Sequence, residues 1–184
     1  MGTDPDSLAL LDFWYSAEMH PRWFDSTPEL DERIRTRFEP LWRLAAAGEL
    51  DHWQDTPEGA LALVIVLDQL PLNMYRGRPE AFATEQRAVA VTKRAVAQGF
   101  DTLIPKERLM FLYMPLMHSE HLADQDLSVQ LFAAAGLADN LRFAEHHRGI
   151  VRRFGRFPHR NAILGRQSTA DELDYLASPQ AFKG

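Results

Sequence analysis

Hydrophobic residues recur along the chain at the three- and four-residue spacing of amphipathic helices, and no segment shows the clean alternation of a half-buried strand. Leu8, Leu11, Trp14 and Tyr15 mark a first helix predicted over Leu8 to Glu18, with Ser7 as its cap. Thr27 followed by Pro28, with Glu29, Asp31 and Glu32 in the first turn, starts a second, because proline needs no donor there and the acids face the positive end of the dipole. Leu30, Ile34, Phe38, Leu41, Trp42 and Ala45 form its buried stripe until Gly48 stops it.

Thr56-Pro57-Glu58 repeats that start signal ahead of Ala60 to Leu67, a run that is apolar all round. Periodicity alone leaves it as a buried parallel strand or a central helix. The cap, the span up to Pro71 and the absence of other strand patterns favour a helix buried on every side, from which Asp68-Gln69-Leu70-Pro71-Leu72-Asn73-Met74-Tyr75-Arg76-Gly77 emerges as a polar end. Beyond it, Pro79 to Gln98 reads as one long helix with a face of small residues, ended by Gly99. Lys106 to Tyr113 follows Pro105, and Pro115 kinks or interrupts it. Helices through Val129 and Phe132 to Gly136, from about Leu137 to Arg153, and after Ser168 to Glu172 complete the pattern. The last opens on a capping box of Ser168 with Asp171 or Thr169 with Glu172. The chain reads as all-α, one domain over residues 1–184 with its core at about 8–177, and about eight or nine helices.

Composition narrows this picture rather than changing it. With 46% hydrophobic and 25% charged residues over 184 positions the chain is ordinarily globular, and with no cysteine it has neither disulfides nor a thiolate zinc site. Asp4 and Asp6 stand where a signal peptide starting at Met1 would carry positive charge, and Ala60 to Leu67 is far short of a membrane span. A cytoplasmic, soluble protein is the expectation. A net charge of −6 and a pI near 5.6 argue against nucleic acid as a partner.

Against that acidic background, Arg152 to Arg166 holds five arginines and a histidine, broken by two glycines and a proline. Such a cluster attracts an anion, either the chain's own carboxylates or a bound phosphate or carboxylate. Gly155-Arg156-Phe157-Pro158-His159-Arg160-Asn161 has the stiffened, donor-rich character of a binding loop, and equally of a latch. Asp68, closing an apolar helix, needs a partner, for which Arg76, Arg156 and Arg160 are available. His118 and His121 share a face if the helix continues, with Glu120 at its edge, a pattern open to acid–base work or metal binding but short of a third ligand. His147, spaced with Phe143, Ile150, Val151 and Phe154, points into an apolar stripe as a core histidine.

The segments Val66 to Gly77, Tyr113-Met114-Pro115-Leu116-Met117-His118-Ser119-Glu120 and Arg153 to Asn161, with Leu164-Gly165-Arg166 and Ser168-Thr169, resemble the bacterial family catalogued as domain of unknown function 924. The resemblance runs from about Leu8 to Leu176. It implies an all-α, tetratricopeptide-like superhelical array, and it implies no reaction, cofactor or catalytic residue. In the family pattern phenylalanine is usual where Leu70 stands and arginine where Leu72 stands, so one cation near Asp68 is missing here.

Two functional classes follow. In the first, Asp68, Asn73, Arg76, Arg156, Arg160 and Asn161 line a polar pocket for an anionic small molecule, with His118, Glu120 and His159 as acid–base groups and no metal or named cofactor. In the second, the chain is a non-catalytic helical scaffold that holds a peptide or protein partner in a groove.

Overall fold

Asp4, not Ser7, caps the first helix, α1 (Pro5–Trp14): its carboxylate accepts from the Asp6 amide at 2.8 Å, with Pro5 at the first position. The expected start at Leu8 was displaced because Ser7 is buried and turns its hydroxyl back to the Asp4 carbonyl. The computed structural model describes residues 2–184; Met1, at which the signal-peptide reading begins, lies outside the described residues. α2 (Pro28–Ala47) has the caps its sequence promised, the Thr27 hydroxyl accepting from the Leu30 amide and Gly48 closing it at φ 87°. Its stripe is buried at Leu30, Ile34, Phe38, Trp42 and Ala45, and Pro40 sits within it.

α3 (Pro57–Val64) begins where Thr56 accepts from the Gly59 amide at 3.1 Å. Gly59 has no room for a side chain. A Cβ there would stand 2.3 Å from the Trp53 carbonyl oxygen, which is backbone of the 3₁₀ turn Asp51–Asp55. Gly59→Ala should therefore lower stability by about 1–3 kcal/mol through overpacking, read from the urea midpoint. An unchanged midpoint would mean that this turn yields freely.

The apolar run is a helix, with every side chain from Ala60 to Leu67 buried. It also passes the proline at which the sequence pattern ended it. Ile65–Gln69 widens into a π turn, the Leu70 amide reaching back to the Ile65 carbonyl, and the rod continues as α4 (Leu70–Met74). Pro71 explains the widening. It lacks the N–H that Leu67 O would accept in an α-helix, and its ring would crowd that carbonyl. Thr84 supplies the missing donor, its hydroxyl bonding Leu67 O while accepting from Trp42 Nε1 at 3.0 Å.

That bond also divides the long helix expected over Pro79 to Gln98. Pro79–Phe82 is a 3₁₀ turn, and α5 (Glu85–Ala97) starts only after Thr84, whose side chain is engaged with Leu67 instead of capping. α6 (Leu109–His118) is not interrupted at Pro115, α7 (Leu122–Ala134) and α8 (Ala138–Phe154) follow, and α9 (Ala170–Ala177) opens on the Thr169–Glu172 capping box. The fold is all-α as expected. With α3, the π turn and α4 taken as one rod, the described residues hold eight such helices.

The contacts group into two compact units. One comprises the chain up to Arg76 together with Glu80–Pro115, and the other Gly77–Pro79 with Leu116–Gly184. In the first, α2 packs on α4, and α3 on α1 and α5; in the second, α7 pairs with α8. Among the described residues no helix is long and apolar enough to cross a membrane.

Candidate functional site

In the second unit the arginine-rich loop follows directly from the end of α8. Gly155 takes the left-handed conformation at φ 71° that stops the helix, and Pro158–Arg160 forms one 3₁₀ turn. Arg156 then lies against Glu172, donating from Nε at 2.6 Å and from Nη2 at 2.8 Å, with a further bond from Nη2 to the Gln167 carbonyl at 2.9 Å. Glu172 is 2% exposed and also accepts from the Thr169 amide and from Asn161 Nδ2. Arg156 first, and then these other donors, hold its carboxyl down at a pKa of about 2.

Arg166 completes the network. Its two terminal nitrogens donate to the two oxygens of Glu120 at 2.7 and 2.8 Å, its Nε donates to Asn161 Oδ1, and the Phe157 amide donates to Glu120 at 2.8 Å. Burial acts to raise the Glu120 pKa, but Arg166 and the Phe157 N–H together outweigh it, and the group lies below its ordinary value. Arg160 is buried, gives Nη2 to the His118 carbonyl at 2.8 Å and lies over the Phe157 ring. The unit thus brings together Glu120, Arg156, Arg160, Asn161 and His118, five of the nine residues that the first functional class gathers in one pocket. The anions they meet, however, are the chain's own.

The acid–base assignments fare differently. Both Glu120 oxygens are engaged by Arg166 and the Phe157 amide, so in this arrangement it anchors the loop, with its side chain still 25% exposed. His159 packs between Phe157 and Phe182, and burial, with help from Arg160, lowers its pKa to about 4. His118 and His121 do not share a helical face, because α6 ends at His118 and His121 is the extended N-cap of α7. His147 is the core histidine expected, 5% exposed, with Nδ1 on the Phe143 carbonyl, although Phe143 itself is exposed.

The first unit holds the other candidates. Asp31 is a hub: Oδ1 accepts from Ser26 Oγ at 2.6 Å and Asn73 Nδ2 at 2.8 Å, and Oδ2 from Arg76 Nε at 2.8 Å. Burial pushes its pKa up, yet the bonds from Arg76, Ser26 and Asn73 bring it below the usual carboxylate value. Around this hub Ser26, Pro28, Asp31, Glu32, Asn73, Met74 and Arg76 line a cavity of about 320 Å³. Asp68 is 5% exposed and accepts from Gln69 Nε2 at 2.6 Å. Two of the three partners the sequence offered it, Arg76 and Arg156, are bound to Asp31 and Glu172 instead.

Sequence reasoning missed Asp31, Glu172 and Arg166 as site residues. Asp31 looked like an ordinary first-turn acid and Glu172 like a capping acid. Arg166 stood at the end of the very loop singled out, which was the one signal available.

Comparison with known proteins bears on most of the chain. No curated protein matches it. A solved structure of a protein of unknown function from Agrobacterium tumefaciens is 37% identical, covers 93% of this chain and 96% of its own, and superposes with a TM-score of 0.88. The model of the bacterial proteins of unknown function DUF924 matches residues 10–180, and the chain belongs to that family.

Proposed function

We propose that the protein binds a small molecule in the cavity over Asp31, Asn73 and Arg76, and that the ligand carries a carboxylate or phosphate for Arg76. The supporting observation is how Arg76 is held. Asp31 fixes the guanidinium through Nε, with a longer contact from Nη2 at 3.4 Å, and the side chain is still 62% exposed. Its outer edge, without a protein partner among the described residues, borders the cavity. A fixed guanidinium with an open edge is preorganised for an anion, since the side-chain entropy of placing it is already spent on Asp31. The volume lies at the lower end of the range for ligand sites, which suits a small metabolite.

This reading moves the anion site away from the loop. Arg156 and Asn161 bond Glu172 and Arg160 bonds the His118 carbonyl, so these residues serve as the latch that holds α9 and the loop in place. The test is a thermal-shift screen against inorganic phosphate and a set of small carboxylates, on the wild type, Arg76→Gln and Arg156→Gln. A ligand at a hundred times its Kd should stabilise by about 2.7 kcal/mol, roughly 5–10 °C. The shift should vanish in Arg76→Gln and survive in Arg156→Gln. Shifts retained in Arg76→Gln would overturn the assignment. No shift with any probe would favour the scaffold reading, for which the supporting feature is Phe24, 72% exposed at the edge of the Tyr15, Trp23 and Phe111 cluster.

A further inference from the structure

Residues 178–184 have no helix or strand, and one side chain seats them. Phe182 inserts its ring among three imidazoles, with centroids 4.4 Å from His147, 5.0 Å from His159 and 6.3 Å from His146. Its amide donates to the Tyr175 hydroxyl at 2.9 Å, and its ring lies on the bed of Ile150, Val151 and Phe157. At Gly184 the backbone comes so close that a Cβ would stand 3.2 Å from His159 Cδ2. The other bonds of the segment lie at its start, from the Ser178 amide and hydroxyl to the Tyr175 carbonyl and from the Ala181 amide to the Ser178 carbonyl.

We propose that residues 178–184 form a proton-sensitive strap: Phe182 stays seated while His147 and His159 are neutral, and lifts off when they take up protons, uncovering the Phe157 bed. The charged surroundings are mostly cationic; the Phe143 carbonyl, which accepts from His147, and Glu120, near His159, are the groups that favour protonation. His147, on α8, faces His146 on its own helix, His118 at the end of α6 and His159 in the loop; His159 faces Arg160, Arg166 and His118. The single carboxylate among them, Glu120, has its oxygens bound by Arg166 and the Phe157 amide. The strap itself adds Lys183. Cation–π attraction to the phenyl rings works the other way, but Arg160 already covers a face of Phe157.

The linkage has a definite sign. Burial, the largest cause in both cases, lowers the pKa to about 3 at His147 and about 4 at His159. With the strap lifted, both imidazoles are hydrated and return toward the ordinary 6.5. The seated form is thus fully favoured above pH 6.5. Below it, each histidine shifts the balance toward the lifted form about tenfold per pH unit, until the lowered pKa is reached.

The experiment is residue-resolved hydrogen exchange on the intact chain, corrected for intrinsic pH dependence. Protection of the Phe182 amide should fall at least tenfold between pH 7 and pH 5.5 while amides of α7 and α8 keep theirs, and His147→Gln with His159→Gln should flatten the response. Because a substitution at His147 risks the fold, Phe182→Ala provides an independent arm. In that variant the His159 pKa, followed by its ring proton shifts, should rise from about 4 toward 6.5. Protection that ignores pH, protection lost together with that of α8, or a His159 pKa unmoved by Phe182→Ala would each overturn the proposal.

Discussion

Glu120→Ala should lower the stability of the protein by about 3 kcal/mol, a fall of roughly 6–12 °C in Tm at this chain length. The substitution takes the carboxylate from two donors, the Phe157 amide and the Arg166 guanidinium, and leaves Arg166 only the neutral oxygens of Asn161 and the Phe157 carbonyl. Side chains only 24% and 25% exposed cannot recover that loss fully from water, though the partial access keeps the cost below that of a sealed pair. A double-mutant cycle with Arg166→Ala should return a coupling of about 1–3 kcal/mol. Strict additivity would mean that the pair is not what fastens the loop. The pH dependence has a fixed sign as well. The Glu120 pKa is lowered in the fold, so its contribution is present above the ordinary carboxylate value and is lost as pH falls through the lowered one.

Phe157→Ala should cost more, about 3–5 kcal/mol by urea denaturation. The ring is fully buried, edge-on to His147 at 5.5 Å, beneath Arg160, and at the centre of the Ile150 and Val151 cluster. Its removal opens a cavity that neighbouring helix backbone cannot close. Phe157→Leu should recover most of the loss, because it restores volume if not the ring contacts. If Phe157→Ala cost under 1 kcal/mol, the loop would not be docked on a formed core at all.

What was legible in the sequence was local chemistry. Thr27 with Pro28, Thr56 with Pro57, and Thr169 with Glu172 each announce a helix start through groups at most three residues apart, and each cap is formed. What was not legible depends on partners far away in the chain. Thr84 carries no sign that it will be drawn to Leu67 O, so the break before α5 was invisible, and so was the passage through Pro71. The loop followed the same logic. Its arginines could be read as donors, but whether a ligand or the protein supplies the anion turned on Glu120 and Glu172, which belong to separate segments. Both readings use the same charge-assisted bonds, and only proximity decides between them. Asp31 was hidden because an acid in a first turn already has a sufficient local explanation.

The π turn at Ile65–Gln69 has a meaning beyond the carbonyl it relieves, and that meaning is one of phase. An α-helix advances about 100° per residue, so one extra residue in a turn rotates everything after it by about that angle relative to an unbroken rod. Leu61 and Leu63 are set before the slip, and Asn73, in α4, comes after it. The direction in which Asn73 leaves the rod toward Asp31 therefore depends on the turn that Pro71 imposes. A lineage that replaced Pro71 with an ordinary helix former would keep every residue of the Asp31 hub and still turn Asn73 away from it.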